Sequence, residues 1–388
     1  MEMKPRRSTA ANWQDPTVPR KRFALKNLWL FALPAGFLFT IWFIAFGCNN
    51  QVNSRTLQGI TSIRTENSQR FFQLKVDTTN WRQQGRGSEL STLIPSQGKL
   101  MHTFLIRIPG FDAFARIHPE RKDSTTFESE LPNVPAGKYL VYANILTYSG
   151  LVETITDTLV IPGQKAALAQ SEAVFWEDTY VVTNPISAPR KAKPGENFVI
   201  CGLPGVKLAF EDGSYAIMEG KQNEALEAGK AYELNFELFN PDGSACLPEP
   251  YLGILGHLAV VRSDGSVFIH LRPAGSFSKT PEQIFKNRLA DTTKLVNSPV
   301  AFRDTVDSYL ARLKAMSVPE REEYLMTEMG MYETNGSGMM GMDHSNRITF
   351  PYSFPKAGQY RLFLQVKRND KVLTGIFDVS VKDSGQTL

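Results

Sequence analysis

A β-hairpin that occurs twice constrains this chain more than any other feature. Residues 251–273, YLGILGHLAVVRSDGSVFIHLRP, read as an apolar strand, a Ser263-Asp264-Gly265 turn and an alternating strand. Centring the turn between Ser263 and Asp264 predicts Arg262 opposite Gly265, Val261 opposite Ser266 and His257 directly opposite His270. Directly opposed residues share a face, with Cβ atoms about 4.5–5.5 Å apart, so two of the chain's five histidines would touch. Residues 102–119 repeat the arrangement, with His102 and His118 set about Gly110.

The repeat extends beyond the hairpin. A turn-plus-strand, Pro135-Ala136-Gly137-Lys138-Tyr139, follows the first copy, and Phe354-Pro355-Lys356-Ala357-Gly358-Gln359-Tyr360 follows the second. From Gly137 to Thr154 is seventeen residues, and from Gly358 to Thr374 is sixteen. Turn, strand and hairpin recurring in one order indicate two copies of one fold. Short alternating strands with turn signals every eight to twelve residues make that fold an Ig-like β-sandwich. The chain is therefore expected to be mainly β, with a first sandwich at 67–165, a linker at 166–200 and a second sandwich at 201–388. In YRLFLQVK, Tyr360, Leu362, Leu364 and Val366 fall on one face, while Arg361, Gln365 and Lys367 fall on the other, the pattern of a half-buried strand.

The second copy carries an insertion at 274–346 between its hairpin and its closing strands. Thr280-Pro281-Glu282-Gln283 is a capping box with proline at the first helical position. Phe302, Val306, Tyr309, Leu310, Leu313 and Met316 form a helical stripe, and Ser317-Val318-Pro319-Glu320 caps a further helix running to about Met329. The insertion ends in the glycine-rich MGMYETNGSGMMGMDHSN.

Charge is unevenly placed. Of a formal net +4, residues 1–26 contribute +5 and the rest of the chain beyond residue 47 contributes −1. The basic balance thus belongs to a short arm (1–27) and gives no reason to expect nucleic-acid binding. Residues 28–47, LWLFALPAGFLFTIWFIAFG, are uncharged and mostly apolar over about the 20 residues that span a bilayer. They predict a single transmembrane anchor in the lipid bilayer of the cytoplasmic membrane, with the N-terminus inside and a polar tether at 48–66 outside. The alternative is lipoprotein processing at Cys48, for which Ala45-Phe46-Gly47 is a loose match. In an extracytoplasmic compartment Cys201 and Cys246 can be either bridged or free.

The pattern YLGxxGH…VFxHxxP…FPYxFPxxGxYRLFxQxK…TGxFDV resembles a group of uncharacterised bacterial envelope proteins with tandem YtkA-like β-sandwich domains, over roughly residues 70–382. The resemblance implies the sandwich fold and, more loosely, copper or heavy-metal handling. The family hairpin ends His-x-His-Pro; here the copies read Arg116-Ile117-His118-Pro119 and His270-Leu271-Arg272-Pro273. Each has arginine where the family has one of its histidines, and guanidinium does not ligate metals.

Two chemistries follow. His102, His118, His257 and His270 can hold a borderline metal in pairs, or serve as packing and hydrogen-bonding groups. Six of eleven methionines lie between 326 and 342; Met339, Met340 and Met342, with His344, offer soft ligands suited to Cu(I), or apolar partner contacts. No GxSxG, P-loop, GxGxxG, HExxH or CxxC motif occurs, so an enzyme is not expected. The sequence therefore points to a membrane-anchored, periplasmic or extracellular binding or scaffolding protein that handles copper or another soft metal. The other reading is an accessory subunit of a larger membrane complex, such as a respiratory one, with the sandwiches and the Pro34/Gly36-containing anchor as contact surfaces.

Overall fold

The computed structural model describes residues 57–67, 69–79, 89–163, 178–182, 200–222, 224–273, 299–328 and 346–385. They are mainly β. In the first half, β1 (Gly59–Glu66), β2 (Gln69–Val76), β3 (Met101–Ile108), β4 (Ala113–Ile117), β5 (Glu120–Arg121), β6 (Thr126–Glu130), β7 (Gly137–Leu146), β8 (Val152–Ile161) and β9 (Thr179–Val182) form two sheets. Their orders are β1-β2-β6-β5 and β8-β7-β3-β4-β9. In the second half the strands are β10 (Lys207–Ala209), β11 (Tyr215–Met218), β12 (Leu226–Glu227), β13 (Ala231–Phe239), β14 (His257–Arg262), β15 (Phe268–Leu271), β16 (Arg347–Ser353), β17 (Gly358–Arg368) and β18 (Lys371–Lys382). Their sheets run β10-β11-β13-β16 and β12-β18-β17-β14-β15.

Each half closes its two sheets over a core. In the first, Phe72 and Phe127 from one sheet meet Leu105, Ile117 and Val141 from the other. In the second, Phe236 and Phe350 meet Val260, Leu362 and Phe377. The repeat is visible in detail. Tyr139 donates its hydroxyl to the Pro135 carbonyl at 2.6 Å and Tyr360 donates to Lys356 at 2.7 Å, the same four-residue corner in each copy. Gly137 and Gly358 open the paired strands at φ +150° and +142°, where a Cβ would strike Arg107 and Arg262, respectively, at 2.8 and 2.7 Å.

A third core joins the halves. Phe104, Ile106 and Phe114 from the first five-stranded sheet pack against Ala259, Val261 and Phe363 from the second. Phe114 and Phe363 stack at 4.3 Å between centroids. Both five-stranded sheets are thus buried on both faces, which explains the nearly unbroken apolar run MHTFLIRI in β3. It also corrects the reading of YRLFLQVK as half-buried, because its polar face enters the junction. Arg361 and Asp378, each 1% exposed, pair there at 2.7 and 3.0 Å, and Arg361 also donates to the Phe111 carbonyl of the first half at 2.7 Å. Gln365 donates to Thr179 Oγ1 at 2.5 Å.

Two segments expected to be tether and linker contribute strands: β1 lies within 48–66, and β9 within 166–200 pairs with β4. The described part of the insertion is a helical pair, α1 (Pro299–Ala315) and α2 (Val318–Glu328). Val306 sits in the core of the first half, with Phe302 and Leu310 against it, so the insertion from the second copy packs on the first. The predicted cap is present: Ser317 donates its backbone N–H and its hydroxyl to Glu320, at 2.9 and 2.6 Å. Cys201 and Cys246 are free thiols, which closes the disulfide alternative: Cys201 lies at the junction and Cys246 in the core of the second half. Neither described helix is long and apolar enough to cross a membrane, and residues 28–47, Cys48 and the 280–283 capping box lie outside the described residues.

Candidate functional site: a buried histidine–arginine cluster

The histidines expected as two separate pairs meet as one group. His102 and His118 lie 5.1 Å apart between ring centroids, His257 and His270 5.2 Å, and His102 lies 5.8 Å from His270 across the junction. All four are buried, as are Arg116 and Arg272. Strand geometry puts them there: along β3 and β4, the odd residues enter the first core, while His102, Arg116 and His118 share the junction face with Phe104 and Phe114.

The register of the second hairpin differs from expectation. β14 and β15 pair Leu258 with Leu271 and Ala259 with His270, which brings Arg272, one step on, opposite His257. The turn is wider than expected because Asp264 takes the Ser266 N–H and hydroxyl, at 3.0 and 2.8 Å, around Gly265 at φ +73°. A shift of two residues preserves the face, so His257 and His270 still meet as diagonal neighbours, with Nδ1 and Nε2 at 3.1 Å. In the first hairpin Thr103 pairs with Ile117, which leaves His102 opposite His118 as expected. By position, then, His118 corresponds to Arg272 and Arg116 to His270.

Two matching turns hold the leading histidines. The Ser96 carbonyl lies 3.0 Å from His102 Nε2, and the Tyr251 carbonyl 3.0 Å from His257 Nε2, each six residues upstream. Gln97-Gly98 and Leu252-Gly253 make these turns with φ of +54° and +72°, and +52° and +75°. Gln97 Nε2 donates to the Leu252 carbonyl at 3.1 Å, so the two turns abut. Helix α2 seals them: Glu322 accepts the Leu252 and Gly253 N–H groups at 3.0 and 2.8 Å, and a Cβ on Gly253 would lie 2.8 Å from that of Leu325.

These bonds assign the tautomers. His102 and His257 donate from Nε2 to carbonyls, so their Nδ1 atoms are acceptors. Arg116 Nη2 donates to the first at 3.3 Å, and His270 Nε2–H to the second. His118 donates from Nδ1 to Asp178 Oδ1 at 2.7 Å. Among the described residues, two nitrogen lone pairs, on His118 Nε2 and His270 Nδ1, have no hydrogen-bond partner, and neither do Nε and Nη1 of Arg116. Burial first, and the Arg116 charge second, hold all four imidazoles well below the usual histidine range, so they are neutral. Burial, then Arg116, bring Arg272 down to about 10.

The chemistry of the cluster is mixed. Neutral imidazole is the form that ligates metals, but only two of the eight ring nitrogens are uncommitted, and two guanidinium groups stand among them. Among the described residues no group of three or more His, Cys, Asp or Glu is placed to hold a metal ion. Met339, Met340, Met342 and His344 lie outside the described residues; Met326, at the edge of that run, is buried in α2. Asp178, Gln97 and Glu322 were not foreseen. The X-Gly turns at matching positions were available as a signal for Gln97, whereas nothing local marks Asp178, sixty residues from His118.

A family model described as "Domain of unknown function (DUF8832)" matches residues 327–383, the stretch that contains β16, β17 and β18. A search of curated proteins finds no match to the chain.

Proposed function

We propose that this is a non-enzymatic binding and scaffolding protein, anchored in the cytoplasmic membrane through residues 28–47, that displays two YtkA-like, Ig-like sandwiches outside it. The observation that carries the reading is the junction. Arg361, held by Asp378, donates to the Phe111 carbonyl of the first half, and the histidine cluster spans the same junction. Copper handling belongs to Met339, Met340, Met342 and His344 in this reading rather than to the histidine cluster. At an effective dielectric of about 20, an ion roughly 5–6 Å from a guanidinium meets about 3 kcal/mol of repulsion per unit charge, which is over a hundredfold in affinity. The accessory-subunit alternative uses the same surfaces without metal.

Copper(I) titration of the full chain, wild type against a variant with Met339, Met340, Met342 and His344 all changed to alanine, tests the assignment. Tight binding by wild type and its loss in the variant are expected; equal, weak binding in both removes copper. Gentle detergent extraction and native electrophoresis then separate the roles: a free species supports the binding protein, and co-migration with a large complex supports the subunit.

A further inference from the structure

We propose that the bare face of β8 is an interface through which two copies of this chain associate. The face is bare because the two five-stranded sheets are offset. Phe268 of the edge strand β15 stacks on Tyr142 of β7 at 4.2 Å, and β8 lies one strand further out. Register shows which side of β8 is left uncovered. Thr156 and Thr158 stand directly opposite Tyr142 and Leu140, and opposed residues share a face, so both threonines lie on the junction side. Both are exposed, and Val152 and Val160 in the same row are 46% and 67% exposed.

The patch continues onto the neighbouring segment. Gln58 bridges Thr156 in parallel, which sets Ile60, 69% exposed, beside Thr158 on the same side. With Leu151 at the turn into β8, the patch holds four of the seven large hydrophobic side chains that are exposed among the described residues. Such a concentration marks a contact surface. The bridge from Gln58 also occupies part of the outer edge of β8, so the face is offered rather than the edge. Along the row from Val152 to Val160 no charge intervenes, because Glu153 and Asp157 alternate to the other side and Asp157 accepts the Thr61 N–H and hydroxyl, each at 2.7 Å.

Shape says what covers this face. The turn of the second hairpin, at Gly265 and Ser266, walls the β7 side, and the recess between wall and row has a volume of about 540 Å³. The offset sheets thus form a step, one strand wide and one sheet deep. A step is self-complementary, as an interface between identical copies must be. Turned about a two-fold axis parallel to β8, a second copy lays its own β8 on this one and fills the recess, while its wall falls outside the patch. Residues then meet their counterparts, Val152 with Val152 and Thr156 with Thr156. A row of methyls and hydroxyls accepts that pairing, whereas a row of like charges would not. The association is independent of the Met-rich copper assignment.

Sedimentation velocity of the detergent-solubilised full chain tests the interface, with a charge swap at its centre. Wild type should show a concentration-dependent monomer–dimer equilibrium below about 100 µM. Thr156→Lys and Thr156→Glu, at an exposed position, should keep the circular dichroism of the wild type. Each alone sets like charges against one another and should dimerise at least about tenfold more weakly. An equimolar mixture of the two should associate again, because lysine on one copy then faces glutamate on the other. A wild type that stays monomeric up to about 100 µM overturns the proposal. So does a dimer of equal strength in both variants, which would place the contact elsewhere, or a mixture of folded variants that fails to reassociate.

Discussion

Acid should loosen this protein well before its carboxylates titrate. His102, His257 and His270 are buried and neutral, with folded pKa values well below the ordinary range. In the unfolded chain each titrates near 6.5, so below that pH the unfolded state binds more protons. Their contribution is therefore complete above about pH 6.5 and falls as the pH drops toward the folded values. An imidazole that stays neutral when folded costs about 2 kcal/mol at pH 5 relative to pH 8, and three cost about 6 kcal/mol, against a total stability of about 5–15 kcal/mol. His118 is left out of this sum because its bond to Asp178 offsets part of the penalty of charging it. The depressed carboxylates act in a lower window. Glu128, held near 2 by Arg64, Lys122 and Gln73 against a smaller than usual solvent exposure, loses its contribution only below about pH 4.5. Urea unfolding followed by circular dichroism at pH 8, 6 and 5 measures the slope directly. His270→Gln keeps a donor for His257 Nδ1 while removing one titrating group, and should flatten the slope by about a third. Equal stability at pH 8 and pH 5 would refute the burial of neutral imidazoles at the junction.

Two further perturbations separate the junction from the helical seal. Asp378→Ala leaves Arg361 buried without its carboxylate and strips the acceptor from the Cys201 N–H, so it should cost about 3–5 kcal/mol in urea unfolding; an unchanged midpoint would show that the halves are not joined there. Gly253→Ala places a Cβ 2.8 Å from Leu325 Cβ at φ +75° and should cost roughly 1–3 kcal/mol, read as faster amide exchange in α2 with the β core unaffected.

The fold was legible wherever a local pattern carried it. The repeated hairpin, the Gly137 and Gly358 turns and the Ser317 cap all depend on residues close in sequence, and all are present. The pairing register of the second hairpin was missed by two because the Asp264–Ser266 side-chain bonds widen the turn, which dipeptide preference does not anticipate. The larger miss was the meaning of polar alternation. Arg361, Gln365 and Lys367 read as the polar face of a half-buried strand, yet all three are buried: Arg361 pairs with Asp378 on the next strand and donates to Phe111 of the other half, and Gln365 donates to Thr179. A period-2 pattern tells which residues share a face, not whether that face meets water. For the same reason the four histidines were legible as two pairs and illegible as one cluster.

The exchange of histidine and arginine between the copies bears on what the cluster is for. Arg116 donates to His102 within its own copy, and His102 bonds Ser96. Ser96 Oγ and Gln97 Oε1 lie 3.3 Å from Nη2 and Nε of Arg272, in the other copy. A continuous chain of hydrogen bonds thus runs from one hairpin to the other, with a guanidinium at each end. With arginine at the same position in both copies, the two hairpins would present the same donor to one another, and one end of that chain would lack its acceptor. Buried, incompletely satisfied cations contribute little stability, so their value lies in fixing which faces of the two sheets come together. A chain that spends most of its histidine nitrogens and both arginines on this alignment has few left for an ion. The cluster is thus better suited to aligning the two hairpins than to holding a metal itself.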